Sequence, residues 1–112
     1  MNLKVKKEQG IAIVQPEGKL TLSDGAKEIS DQVKRFLDDG TKRFMINLSK
    51  VDYIDSSGIG ELLALRNAVL ETKGKIAILN PSPKVDEILK MTKLDTVLEL
   101  FYNEFEAKAS IS

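Results

Sequence analysis

The sequence predicts an α/β domain, with one mixed sheet that begins as an antiparallel hairpin and continues as βα units whose helices pack on the sheet. Three observations predict it. Short apolar or alternating runs recur between stretches of helical period. After the first two strands the two kinds of stretch alternate, which is the order of a sheet built with crossover connections. No linker, repeat or low-complexity tract interrupts the 112 residues, so residues 1–112 are read as a single domain with one core.

Leu3-Lys4-Val5-Lys6 alternates apolar and charged residues, as an edge strand with one wet face does, and its lysines discourage further pairing. Gln9-Gly10 turns the chain into Ile11-Ala12-Ile13-Val14, a more buried strand paired antiparallel with the first. Pro16 and Gly18 are expected to end it, and Ser23 or Asp24 to cap the helix that follows. Ala26, Ile29, Val33, Phe36 and Leu37 form that helix's apolar stripe, and Gly40 closes it.

Phe44–Leu48 reads as a third strand and Ile76–Leu79 as a fourth, the latter apolar on both faces like a central parallel strand. Between them Ile59, Leu62, Leu63, Arg66, Val69 and Leu70 fall on one face of a second helix that stops at Gly74. Ser82-Pro83 begins a third, short helix carrying Val85, Ile88 and Leu89, which ends near Thr92. Val97–Phe101 is expected to be the last strand and residues 104–111 the last helix. The predicted order is β-β-α-β-α-β-α-β-α.

Composition narrows function by exclusion. Seventeen basic residues balance seventeen acidic ones, so no net field draws the chain to nucleic acid or an anionic membrane. Cysteine and histidine are absent, which removes thiolate nucleophiles, the usual zinc ligand sets and the commonest general base. No cofactor and no metal is expected. The N-terminal residues carry charge without an apolar run long enough for a signal peptide or a spanning helix, so a cytoplasmic location is expected.

The segment Val51–Leu62 is the most informative. Asp55-Ser56-Ser57-Gly58-Ile59-Gly60-Glu61 opens the second helix, where backbone donors lack intrahelical partners. Any helix start favours such cap residues. Gly58 and Gly60 are not needed for capping, and each weakens a helix by roughly 0.5–1 kcal/mol relative to alanine. They are read as letting a partner approach the serines. A serine here also suits a switch, because a phosphate adds about −1.5 to −2 charges beside the positive end of the helix dipole without unfolding the domain.

Asp55-Ser56-Ser57-Gly58-Ile59-Gly60 resembles the phosphorylation motif of bacterial anti-sigma factor antagonists of the STAS family. The resemblance extends to Gly18-Lys19-Leu20, the strand Phe44–Leu48 and Asn80-Pro81, nearly the whole chain. It implies a non-enzymatic regulator with Ser56 as phosphoacceptor. The unphosphorylated form would capture an anti-sigma factor that is also a serine kinase, and a metal-dependent serine phosphatase would reset the modified form. Nucleotide and metal belong to those partners. Asp55 is read as shaping the loop or the kinase encounter, and Ser57 as the helix cap, with an exchange of the two serines' roles left open. Thr21, Leu22, Gly58, Ile59, Gly60 and Glu61 would complete the partner surface. Thr21 departs from the acidic residue that members often carry after Gly-Lys-Leu, which implies a different charge partner.

Two alternatives compete. A STAS subunit of a transport or stress-sensing assembly would use Ser56 only as a helix cap. An enzyme using Ser56 or Ser57 as nucleophile, with a lysine or aspartate as activator, could carry out acyl transfer, but the sequence has no histidine base and no G-x-S-x-G elbow. Homo-oligomerisation is not predicted. Tyr53 is read as a strand-end packing residue, Met91 as core or rim, and Lys84, Asp86, Glu87 and Lys90 as a solvated face.

Overall fold

The computed structural model describes residues 2–21 and 25–112. Its elements are β1 (Asn2–Glu8), β2 (Ile11–Leu20), α1 (Ala26–Asp38), β3 (Arg43–Asn47), β4 (Val51–Ile54), α2 (Ser56–Glu71), β5 (Lys75–Leu79), α3 (Pro83–Met91), β6 (Leu100–Phe101) and α4 (Glu104–Ser110), with a 3₁₀ turn at Leu94–Thr96. The sheet runs in the order β1-β2-β3-β5-β6. Among the described residues only β1 and β2 pair antiparallel, and their hairpin turns through Gln9 and Gly10, both at positive φ.

β2 does not end at Pro16. Its first part pairs parallel with β3 from Ile11 to Val14, and its last part pairs parallel with β4 from Gly18 to Leu20 across a bulge. Pro16 lies in the gap between these two pairings, where a missing amide costs least. The strand β4 is not among the strands the sequence predicts. Val51 and Ile54 are buried while Asp52 and Tyr53 are exposed, so neither alternation nor an apolar run marks it. It exists because the extension of β2 offers it a partner.

α1 has Gly25 at its N-cap with no side-chain cap bond; the expected caps Ser23 and Asp24 lie outside the described residues. Gly40 ends α1 as expected, at φ 92° with the Thr41 amide donating to the Phe36 carbonyl. The end of α2 differs. Lys73, not Gly74, adopts the left-handed conformation, and Gly74 is needed because a Cβ there would lie 2.5 Å from the Lys42 carbonyl. The expected last strand shrinks to two residues, because Val97 continues the 3₁₀ turn in helical backbone.

The core has two sides. Phe44, Ile46, Val14 and Ile78 meet Ile29 and Val33 of α1, Leu62, Leu65 and Val69 of α2, and Val85 and Leu89 of α3. On the other face Ile11, Ile13, Met45, Ala77 and Leu79 are covered by Ala107 of α4 and by Ile111. Leu65, not Leu70, belongs to the buried stripe of α2; Leu70 is exposed. Among the described residues no helix is long and apolar enough to cross a membrane.

Candidate functional site

The start of α2 is positioned by β4, the end of β2 and α3. The Asp55 side chain is the N-cap: its Oδ1 accepts the Gly58 amide at 2.9 Å. This corrects the assignment of that task to Ser57, which is the second helical residue and half-buried. The cap fits Asp because the chain leaves β4 in extended backbone, placing the carboxylate under the first turn. Ser56, the first helical residue, is exposed.

Beneath the turn lies the end of β2. The Leu20 carbonyl accepts the Asp55 amide at 3.3 Å, and a Cβ on Gly58 would sit 2.2 Å from that same carbonyl oxygen and 2.8 Å from Ile54 Cγ1. Gly58 is therefore buried for internal packing of helix on strand, not for the approach of a partner. Gly60 is the opposite case: it is exposed, and nothing lies within 4 Å of a Cβ there. The two glycines, similar in sequence, have different physical reasons.

Asp55, Ser56 and Ile59 line an open groove of about 620 Å³ with Tyr53 and Ile54 of β4 and Lys84, Glu87, Ile88 and Met91 of α3. Ser82 helps hold this wall, since its hydroxyl donates to the Val51 carbonyl at 2.6 Å and so ties the start of α3 to β4. Glu61 is half-buried one turn beyond Ser57, and Thr21 is half-buried at the end of β2, bridged to Gly25. Leu22 lies outside the described residues. The α3 wall was missed as part of the site. Met91 is 74% exposed and Tyr53 42%, so both are apolar surface at the groove rather than packing residues. Nothing in the sequence links residues 53 and 91; a hydrophobic residue exposed at a helix end reads locally as core.

The charges on α3 are more organised than a loose solvated face. Tyr102 donates its hydroxyl to Asp86 Oδ1 at 2.5 Å, and Lys90 pairs with Asp86 Oδ2 at 2.9 Å while its Nζ lies 5.5 Å from the Tyr102 ring centroid. The Tyr102 hydrogen bond, with help from Lys90, holds the Asp86 carboxyl below the usual range, and the same bond pushes the Tyr102 hydroxyl above its ordinary value. Among the described residues no cluster of acidic side chains could hold a metal.

A mixed sheet with an N-terminal hairpin, three helices on one face and one on the other is an α/β architecture shared with several solved structures. An anti-sigma factor antagonist from Mycobacterium paratuberculosis superposes with a TM-score of 0.85 at 19% identity, covering 98% of this chain and 92% of that one. The anti-sigma factor antagonist SpoIIAA in its unphosphorylated form superposes with a TM-score of 0.74 at 19% identity, covering 98% and 97%. SpoIIAA has also been solved phosphorylated, matching with a TM-score of 0.74 at 18% identity over 99% and 100% of the chains.

The chain belongs to the STAS domain family, whose sequence model matches residues 2–107. Its relatives include the anti-sigma F factor antagonist of Paenibacillus polymyxa, 27% identical over 114 residues that cover 96% of this chain and 93% of that protein.

Proposed function

We propose that this chain is an anti-sigma factor antagonist: unmodified, it docks on an anti-sigma factor through the start of α2 and the adjoining groove, and phosphorylation of Ser56 releases it. The observation that carries the reading is the exposed position of Ser56 on the first turn of α2, at the edge of a groove where Tyr53 and Met91 leave apolar surface in water. The names of the relatives and the existence of a phosphorylated SpoIIAA support it.

The switch follows from charge. Asp55 and Glu87 against Lys84 leave the groove wall with one negative charge before modification. Phosphorylation adds about −1.5 to −2 more. The Gly58 amide, a natural donor for a phosphate at a helix start, already serves Asp55. At the docking surface a neutral hydroxyl contact becomes a hydrated dianion that opposes burial. In the forward step the kinase transfers the terminal phosphoryl of ATP to Ser56 Oγ, ADP leaves, and the hydroxyl proton passes to a base on the kinase. A metal-dependent serine phosphatase restores the Ser56 hydroxyl by hydrolysis, in which water takes the phosphoryl group and inorganic phosphate leaves. Nucleotide and metal are supplied by the partners.

The test is incubation with a candidate anti-sigma factor kinase and ATP, read by intact mass, alongside a binding assay. One phosphoryl group should be added to wild type and to Ser57→Ala but not to Ser56→Ala. Ser56→Ala should keep the partner and Ser56→Asp lose it. Modification that survives Ser56→Ala, or equal binding by all three proteins, would refute the assignment.

A further inference from the structure

The two faces of the sheet are covered unequally. On one, Ala12, Val14, Phe44, Ile46 and Ile78 lie beneath the three helices α1, α2 and α3. On the other, Ile11, Ile13, Met45, Ala77 and Leu79 lie beneath α4 and the residue that follows it. Among the described residues that cover buries two side chains, Ala107 and Ile111, with Phe101 partly buried beside them. The five sheet residues below are nonetheless at most 6% exposed, so a helix of seven residues and its tail keep an apolar face dry.

Little else fastens α4. Phe105 is 80% exposed, and Glu104, Glu106 and Ala109 are exposed as well, so one side of the helix adds no burial. Lys108 reaches Glu8 Oε1 at 3.6 Å and Lys75 reaches an oxygen of Ser112 at 3.3 Å, both at the surface, where such contacts contribute little. The backbone bonds of α4 run within residues 103–112, among them Ala107 amide to Asn103 carbonyl at 3.0 Å and Ile111 amide to Lys108 carbonyl at 3.3 Å. Releasing the helix therefore leaves the ladder of the sheet intact.

The point of release is set by Tyr102. Its hydroxyl is bound to Asp86 of α3, and Leu100 and Phe101 before it pair with β5, so the chain is held as far as residue 102. α4 begins at Glu104. Lifting it exposes Ala107, Ile111 and the sheet residues beneath them, and returns the conformational freedom of the whole segment, which offsets much of the lost burial. A freed segment this short does not stay helical. Uncovering the other face means removing three helices, which amounts to unfolding the domain.

We propose that α4 is a strap: residues 103–112 leave the sheet together while the rest of the domain stays folded. The apolar face of β2, β3 and β5 is thereby reached from water without global unfolding.

Single thiols test the strap, since the chain has no cysteine of its own. Ala77 and Ala12 are both fully buried, Ala77 on the face under α4 and Ala12 on the face under the three other helices. In full-length Ala77→Cys and Ala12→Cys, labelling by an aromatic disulfide reagent, under conditions where reclosing outpaces labelling, reads the opening constant of each site. Each is compared with the unfolding constant of the same variant from urea. Ala12→Cys should label only as global unfolding allows, and Ala77→Cys about 100-fold faster than that or more. Amide exchange in the unsubstituted protein is the second measurement: Ala107, Lys108 and Ala109 should share one opening constant, larger than that of Met45 and Ile46 by about the same factor. Labelling of Ala77→Cys at the global rate, or α4 amides that exchange only together with those of β3, would overturn the proposal. So would α4 amides that open one after another from the chain end while Ala77→Cys stays protected, which is fraying and not a strap. All of these results should be the same in Ser56→Ala, so the outcome is independent of the regulatory reading.

Discussion

Gly58 and Gly60 lie two residues apart in one helix, and the structure predicts opposite effects when each becomes alanine. In Gly58→Ala the new methyl would meet the Leu20 carbonyl oxygen at 2.2 Å, Ile54 Cγ1 at 2.8 Å and Leu20 Cγ at 3.0 Å. The nearest obstacle is backbone, and that carbonyl also accepts the Asp55 amide, so it cannot move without loosening the helix cap. Overpacking of this kind costs about 1–3 kcal/mol, and the 2.2 Å contact favours the upper part of that range. Alanine regains up to about 1 kcal/mol of helix propensity, leaving a net loss of about 2 kcal/mol. In Gly60→Ala nothing obstructs the methyl, and only the propensity gain of about 0.5–1 kcal/mol remains. In urea unfolding, with a slope near 2 kcal/mol per molar, the midpoint should fall by about 1 M in the first variant and rise by about 0.25–0.5 M in the second. Shifts of the same sign and size in both would refute the claim that Gly58 is held by strand-to-helix contact.

Asp55→Ala should cost about 1 kcal/mol in the same assay through loss of the bond to the Gly58 amide, while Asp55→Asn, which still caps, should keep most of it. Asp86 gives a pH dependence: its carboxyl is held low in the folded state, so its contribution is present above the ordinary carboxylate pKa and is lost as pH falls through the lower folded value. Tyr102→Phe removes the largest cause of that depression, so the acid loss of stability should shrink, by roughly 0.2–1 kcal/mol for so solvated a group. Above the ordinary tyrosine range the wild type should lose a further increment that the variant lacks, because the folded state holds the Tyr102 proton more tightly. Urea midpoints compared across pH check both limbs; identical profiles for the two proteins would count against the pairing.

Local patterns in the sequence determined most of the architecture. The hairpin turn at Gln9-Gly10, the apolar stripes of α1 and α3, and the buried strands around Phe44 and Ile76 are properties of neighbouring residues, set by backbone preference and period. The exposed serine at the start of a helix was legible for the same reason. What depended on distant residues was not. β4 forms because β2 passes Pro16 and changes partner; the cap is Asp55 because the path out of β4 places that carboxylate below the turn; and Gly58 is required by a carbonyl thirty-eight positions earlier in the chain. Tyr53 and Met91 border one groove because α3 packs beside β4 through Val85 and Leu89, with Ser82 tying its start to Val51. The sequence alone thus set most of the elements and the serine at the start of α2, and the tertiary structure decided the strand β4, which side chain caps, which glycine is structural and what surrounds the serine, because those outcomes rest on contacts between segments that no local period encodes.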